Sequence, residues 1–310
     1  MPNATTSAPG RHARREYGSR VPGRPTFDLQ SHSRCSDGSL APAQVVAAAA
    51  AAGVELLALT DHDTVDGVAE AVEAGRASGV RVATGVEISA VRGPDLDVHI
   101  LGYAFDPGHP ALADTLGRFR AERELRNDRI LDRLRELGLD VDLAEVAARR
   151  AAGRPVGRPH LAQAVLAVPA NRERLAAEGA DTIDRMFRAY LGDGGPAWVA
   201  REGPSVTEAI EAIHAAGGVA VWAHPFFDVS STDEVRGEID RFRAAGLDGV
   251  ECFYITHTRA QVDVLCDHCE RHGLLRTGSA DFHGPERPAF SRFRAFELYG
   301  REPELGPIGA

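Results

Sequence analysis

His32 and Asp37 in FDLQSHSRCSDG (27–38), His62 in LLALTDHDTVDG (56–67), Glu87, His99, His224, and the pair Asp281 and His283 all carry side chains that bind divalent metals. Imidazole nitrogen and carboxylate oxygen without thiolate suit Zn, Mn or Fe at a catalytic site better than at a structural one. Each residue alone has an ordinary explanation. A histidine near a strand end is commonly a hydrogen-bonded structural residue, and an aspartate after a strand commonly caps a helix. What sets these eight apart is position, because each lies in or just beyond a short apolar run that reads as a strand. In a closed α/β barrel such ends face one side, so a single mouth would collect side chains about 250 residues apart in sequence. Eight donors exceed what one ion takes. Two or three divalent ions sharing carboxylates is the expectation, with Glu87 and one aspartate as bridges.

The elements that must place them alternate. Strands are expected at 27–30, 55–60, 80–89, 97–103, 218–223, 249–254 and 274–278, with helices at 42–52, 66–78, 234–245 and 259–272. Ser205 and Glu208 form a capping box for a further helix reaching His214. Such alternation implies a largely parallel sheet with helices packed outside. From 106 to 196 the rhythm changes to Arg, Ala, Glu and Leu at helical spacing, with no good strand before Trp198, which reads as a helical insertion. It contains the unusual patch Gly157-Arg158-Pro159-His160. The expected division is a disordered tail at 1–26, a barrel over 27–105 and 197–300, and the insertion over 106–196. His12 falls in the tail.

Composition excludes several classes. A net charge of −10 argues against a surface that coats nucleic acid, though a local arginine groove could still grip a short anion. All 35 basic residues are Arg, so a Walker-type phosphate Lys, a Schiff-base Lys and a carbamylated bridging Lys are ruled out. No apolar run approaches the roughly 20 residues of a membrane helix, and with no secretory apolar stretch the expected location is the cytoplasm. Cys35, Cys252, Cys266 and Cys269 are then expected as reduced thiols. Cys266 and Cys269 form a CxxC near His268 and His272, but a single CxxC within a helical pattern is a weak zinc signal. His109, His268 and His272 read as solvated, His214 as a helix-end residue, and Asp63 and Asp66 as supporting or capping groups.

The chain resembles the PHP (polymerase and histidinol phosphatase) superfamily of metal-dependent phosphoesterases. The motifs that carry the resemblance are DLQSHSRCSDG, ALTDHDT, TGVEIS, VHILGY, GRPH, VAVWAHP, GVECFY and SADFHG, which run in this order from Phe27 to about Gly284. It is most similar to the bacterial nucleoside 3′,5′-bisphosphate phosphatase and 5′-to-3′ exoribonuclease group. The resemblance implies a distorted (β/α)7 TIM-like barrel, a helical insertion over its C-terminal mouth, and a di- or trinuclear site. One departure matters. The usual first motif is His-x-His, whereas this chain has Gln30-Ser31-His32, and a Gln carbonyl binds transition metals far more weakly than imidazole. Gln30 is therefore a weak or lost ligand.

The expected chemistry is hydrolysis of nucleotide phosphomonoesters, or trimming of short single-stranded RNA from its 5′ end, by metal-activated hydroxide. Arg158 is the first candidate to bind phosphate, for its bidentate fork, with His160 and His257 next. His257, after the 249–254 strand, is expected to face the mouth and to serve as general acid. Rival readings are a histidinol-phosphate phosphatase, an amidohydrolase-type metal barrel, and a non-catalytic nucleotide-binding module.

Overall fold

The computed structural model describes residues 25–93, 97–152, 154, 156–192, 194–200 and 203–310, so the tail expected at 1–26 lies outside them apart from its last two residues. Seven strands form one sheet in sequence order: β1 (Phe27–Asp28), β2 (Leu56–Leu59), β3 (Arg81–Val91), β4 (Asp97–Tyr103), β5 (Val219–Trp222), β6 (Gly249–Tyr254) and β7 (Leu275–Ser279). β2 and β6 are buried at every position, which is why they read as near-continuous apolar runs, broken only by Glu251 in β6, rather than alternating ones. The sheet curls until its edges approach. Leu29 donates its N–H to the Gly278 carbonyl at 3.2 Å, and beyond the strands His32 donates to the Phe282 carbonyl at 2.7 Å.

β4 breaks the parallel order, running antiparallel to both β3 and β5. The sheet is otherwise parallel, as expected, and β4 departs from it for a geometric reason. Only residues 92–96 join β3 to β4, and a parallel crossover needs a dozen residues or more. Reversal places the start of β4, not its end, at the mouth, and that is where His99 lies.

Helices α1 (Pro42–Ala51) and α2 (Val68–Ser78) pack over β2 and β3. Between β4 and β5 come α3 (Pro110–Glu136), α4 (Ala144–Ala151), α5 (Arg158–Leu166), α6 (Arg172–Ala177) and α7 (Ile183–Met186), the last running into a π-helical stretch, Phe187–Leu191. No strand forms at Trp198. The 27-residue α3 serves two cores. Leu112, Leu116 and Phe119 join the barrel cluster, whereas Ile130, Leu131 and Leu134 join a separate cluster with Leu161, Val165 and Met186.

The remaining helices are α8 (Val206–Ala215), α9 (Pro225–Asp228), α10 (Thr232–Ala244) and α11 (Arg259–His272). Ser205 caps α8, accepting the Glu208 N–H at 3.2 Å while Glu208 returns to the Ser205 N–H at 2.8 Å. Among the described residues no helix is long and apolar enough to cross a membrane.

Candidate active site

The eight side chains picked out by type and position meet at one end of the barrel, and local backbone geometry explains how. Glu87 and Ser89 share one face of β3, and Ser89 pairs with His99 across the antiparallel register. His99 Nδ1 therefore lies 2.6 Å from Glu87 Oε1. His62 bridges to Glu87 in the parallel direction, with its Nδ1 3.8 Å from Glu87 Oε2. His32 Nε2 is 3.0 Å from that same oxygen and 3.2 Å from Asp281 Oδ1. His224 Nε2 reaches Glu87 Oε1 at 3.4 Å. Asp37 sits 3.4 Å from His283 Nε2 and 3.6 Å from His32 Nδ1.

Sharp turns set these directions. His224, Asp281 and Asp63 have φ of 30°, 53° and 52°, a region that L residues seldom occupy. Such conformations persist where surrounding structure over-determines them, and three fall at this mouth. The 32–38 turn is equally tight, since a Cβ on Gly38 would lie 2.2 Å from the His32 carbonyl oxygen.

Seven of the eight donors, all but His224, form three overlapping groups whose ligand atoms lie within 4.8 Å of one another: His32, Asp37, His62 and His283; His62, Glu87 and His99; and His32, Glu87 and Asp281. Burial alone would raise the Glu87 carboxyl, but the His62 and His99 charges hold it well below the usual carboxylate range. Asp281, for the same reason with His283 and His32 opposing burial, is held down at about 2. Both are anions at neutral pH. His32 Nε2, His62 Nδ1 and Asp281 Oδ1 are buried without a hydrogen bond. Buried polar atoms left so are costly unless something else satisfies them, and divalent cations would satisfy all three. The donor set fits the metals its chemistry calls for.

Gln30 behaves differently from its neighbours. Its amide nitrogen donates to Glu87 Oε2 at 2.9 Å, and its carbonyl oxygen accepts from the Ser279 hydroxyl at 3.2 Å. With the nitrogen turned to the carboxylate, the side chain supports Glu87 as a donor.

Above this floor opens a cavity of about 380 Å³, walled by Arg123, Arg126, Arg158 and His160 from the insertion and by Arg287. Arg158 donates to Asp97 Oδ2 at 3.1 Å and to the Leu191 carbonyl at 3.2 Å, with its guanidinium 4.8 Å over the Phe187 ring. Arg126 also donates to Asp97, at 3.1 Å. Arg123 bonds Asp63 and Ser89, and Arg149 bonds the Ser36 carbonyl, tying the insertion to the turns that carry the donors. His160 Nδ1 accepts the Gly157 N–H at 2.9 Å, which leaves the proton on Nε2. Burial pulls its pKa to about 4, so at pH 7 it is a neutral donor.

His257 does not line this cavity, correcting the expectation that it faces the mouth. The turn after β6 folds back, with the His257 N–H bonded to the Tyr254 carbonyl at 2.9 Å. The ring packs against Tyr254 and Phe226, with Nδ1 3.1 Å from the Cys252 carbonyl oxygen. Burial lowers its pKa to about 4, unsuited to a general acid at neutral pH.

Sequence reasoning picked out Arg158 and His160 of the wall but missed the arginines of α3, Arg287 and a buried support. Arg123, Arg126 and Asn127 share a face of α3, but several arginines recur along that helix and spacing does not say which stripe meets the barrel. Glu251 in GVECFY accepts the His224 N–H at 2.9 Å and the Ser279 hydroxyl at 2.5 Å. Its burial raises the carboxyl to about 8. A charged residue in the centre of an otherwise apolar strand was the available signal.

A family model described as PHP domain matches residues 28–190. The chain is 36% identical over 267 residues to the 3′,5′-nucleoside bisphosphate phosphatase of Chromobacterium violaceum, covering 84% of this chain and 87% of that one. It is also 36% identical over 259 residues to a 5′-3′ exoribonuclease of Haemophilus influenzae, covering 84% and 90% respectively. A solved structure from Bifidobacterium adolescentis, described as a metal-dependent phosphoesterase, superposes with a TM-score of 0.74 at 29% identity, covering 92% of this chain and 95% of that one.

Proposed function

The chain belongs to the PHP domain family of metal-dependent phosphoesterases, and on that premise we propose that it hydrolyses phosphomonoesters of nucleotides, taking nucleoside 3′,5′-bisphosphates or the 5′ ends of short single-stranded RNA. The observation that carries this reading is the two-sided cavity, with buried imidazoles and carboxylates beneath and guanidinium groups above. The names of the two relatives support the nucleotide substrates.

His32, Asp37, His62, Glu87, His99, His224, Asp281 and His283 would hold the ions. Divalent ions in such a site bring the pKa of water from about 15.7 to about 7 and offset charge on a phosphoryl group. We assign two ions rather than three, because the Gln30 carbonyl oxygen is turned to Ser279. Glu87 presents one oxygen to His32 and His62 and the other to His99 and His224, which suits a shared carboxylate. Asp61 fixes the first turn by accepting from the Ser33 amide and from the Ser33 and Ser36 hydroxyls.

Arg158 and Arg126 bind phosphate oxygens by charge-assisted hydrogen bonds, and His160 adds a neutral donor. The insertion then acts as a lid that carries the phosphate contacts over the metals.

The test is elemental analysis of the purified chain with a phosphate-release panel in Mn²⁺. Adenosine 3′,5′-bisphosphate should release phosphate, and a 5′-phosphorylated oligoribonucleotide should be shortened from its 5′ end with release of mononucleotides. Turnover confined to histidinol phosphate, or to amide substrates such as dihydroorotate, would overturn the reading.

A further inference from the structure

The CxxC near the C-terminal end of α11 separates, in three dimensions, into two unlike halves. Cys266 and Cys269 are buried in the barrel cluster, the latter with its sulfur 3.8 Å from that of Cys252 on β6. His268 and His272 turn the other way, one helical turn apart on one face, toward Asp240 of the neighbouring α10. The sequence reading of His268 as solvated is corrected: it is only 4% exposed. Its Nε2 lies 3.0 Å from Asp240 Oδ1, and His272 Nε2 lies 3.8 Å from the same oxygen. One ligand atom from each residue falls within 4.8 Å of the other two.

We propose that Asp240, His268 and His272 form a second, peripheral site for one divalent transition-metal ion of the zinc class, clasping α10 to α11 on the outer layer of the barrel. Zinc bonds of about 2.0–2.1 Å to nitrogen and oxygen put tetrahedral ligands about 3.4 Å apart, and the two carboxylate–imidazole separations bracket that edge. Two imidazoles and one carboxylate are the borderline donors that select zinc-like ions over Mg²⁺ or Ca²⁺, which prefer all-oxygen sites. Asp240 is half exposed, so water completes the shell.

Two features limit affinity. Arg243 Nε lies 3.9 Å from the same Asp240 oxygen and must turn to solvent, as its exposed side chain can. His268 Nδ1, buried without a hydrogen bond, lacks the outer partner that usually orients a metal-binding imidazole. None of the three residues lines the catalytic cavity. α11 starts beside the mouth after β6 and runs back along the barrel, so its last turn, with both histidines, lies toward the opposite end.

The test uses the whole chain carrying its active-site ions. Zn²⁺ is titrated by calorimetry into wild type, His272→Ala and Asp240→Asn, which change surface groups and spare buried His268. Wild type should take up one equivalent more than either variant, with the same active-site metal content in all three by elemental analysis. Added Zn²⁺ should also raise the Tm of wild type more than that of either variant, because an ion that binds only the folded state stabilises it. Equal uptake and equal Tm shifts in all three proteins would overturn the proposal.

Discussion

The floor and the wall of the catalytic cavity are built on opposite principles. The floor takes its side chains from the strands of one nearly closed sheet and the turns that follow them, where Glu87 and His32 are fully buried and backbone pairing and tight turns set the directions. The wall takes arginines from α3, which serves both cores, and from α5, which fills the separate one, and these reach the barrel through long, mostly buried side chains. Short buried side chains on a paired backbone hold distances to tenths of an ångström, as metal coordination needs. Long guanidinium arms can adjust to substrates of different size. The contrast teaches that one cavity can be rigid toward its ions and adaptable toward its ligand.

The sharpest way to break this comparison is at the floor. Glu87→Gln removes a charge that four imidazoles face, and it should lower kcat/KM on the order of 10³-fold or more together with metal content. Unchanged metal content by elemental analysis would deprive Glu87 of its role. At the wall, Arg158→Ala should raise KM for phosphorylated substrates about 10- to 100-fold, the scale of one or two charge-assisted hydrogen bonds, and leave metal content intact. Loss of metal there instead would make Arg158 a structural tie through Asp97 and Leu191.

The smallest effect concerns the support beneath the floor. The Glu251 carboxyl is raised from 4.5 to about 8 by burial, so the folded chain favours its neutral form. Its contribution is complete below pH 4.5 and is lost as pH rises through about 8. Asp28, raised from 3.8 to about 7 by burial, acts in the same direction. His62, lowered from 6.5 to about 3, acts only below 6.5. Urea unfolding of the metal-free chain should therefore show stability falling between about pH 6.5 and 8, by on the order of 1–2 kcal/mol. Glu251→Gln should flatten that slope, and an unchanged slope would place the titration elsewhere.

Much of the barrel was legible because strand and helix patterns are local. The 97–103, 249–254 and 259–272 segments form as their periodicity indicates. The mouth could be anticipated from residue type and strand position together, since parallel strands send their ends to one side. His257 escaped the same logic because a turn of three residues reverses a ring's direction without leaving a mark in the pattern. The arginines that α3 adds to the wall were hidden for a different reason. α3 carries arginine on several faces, and only docking against Asp63 and Asp97 selects which ones meet the cavity.

From the sequence alone came the donor types, their placement at strand termini, the absence of lysine and the helical character of 106–196, all of which depend on chain-local chemistry. The tertiary structure decided that β4 runs backwards, that Gln30 turns its nitrogen to Glu87, that Glu251 lies neutral beneath His224, and that His268 and His272 face Asp240. Each of those depends on which distant backbone lies within a few ångströms, and pairings between residues far apart in the chain leave no periodic trace for a sequence to show.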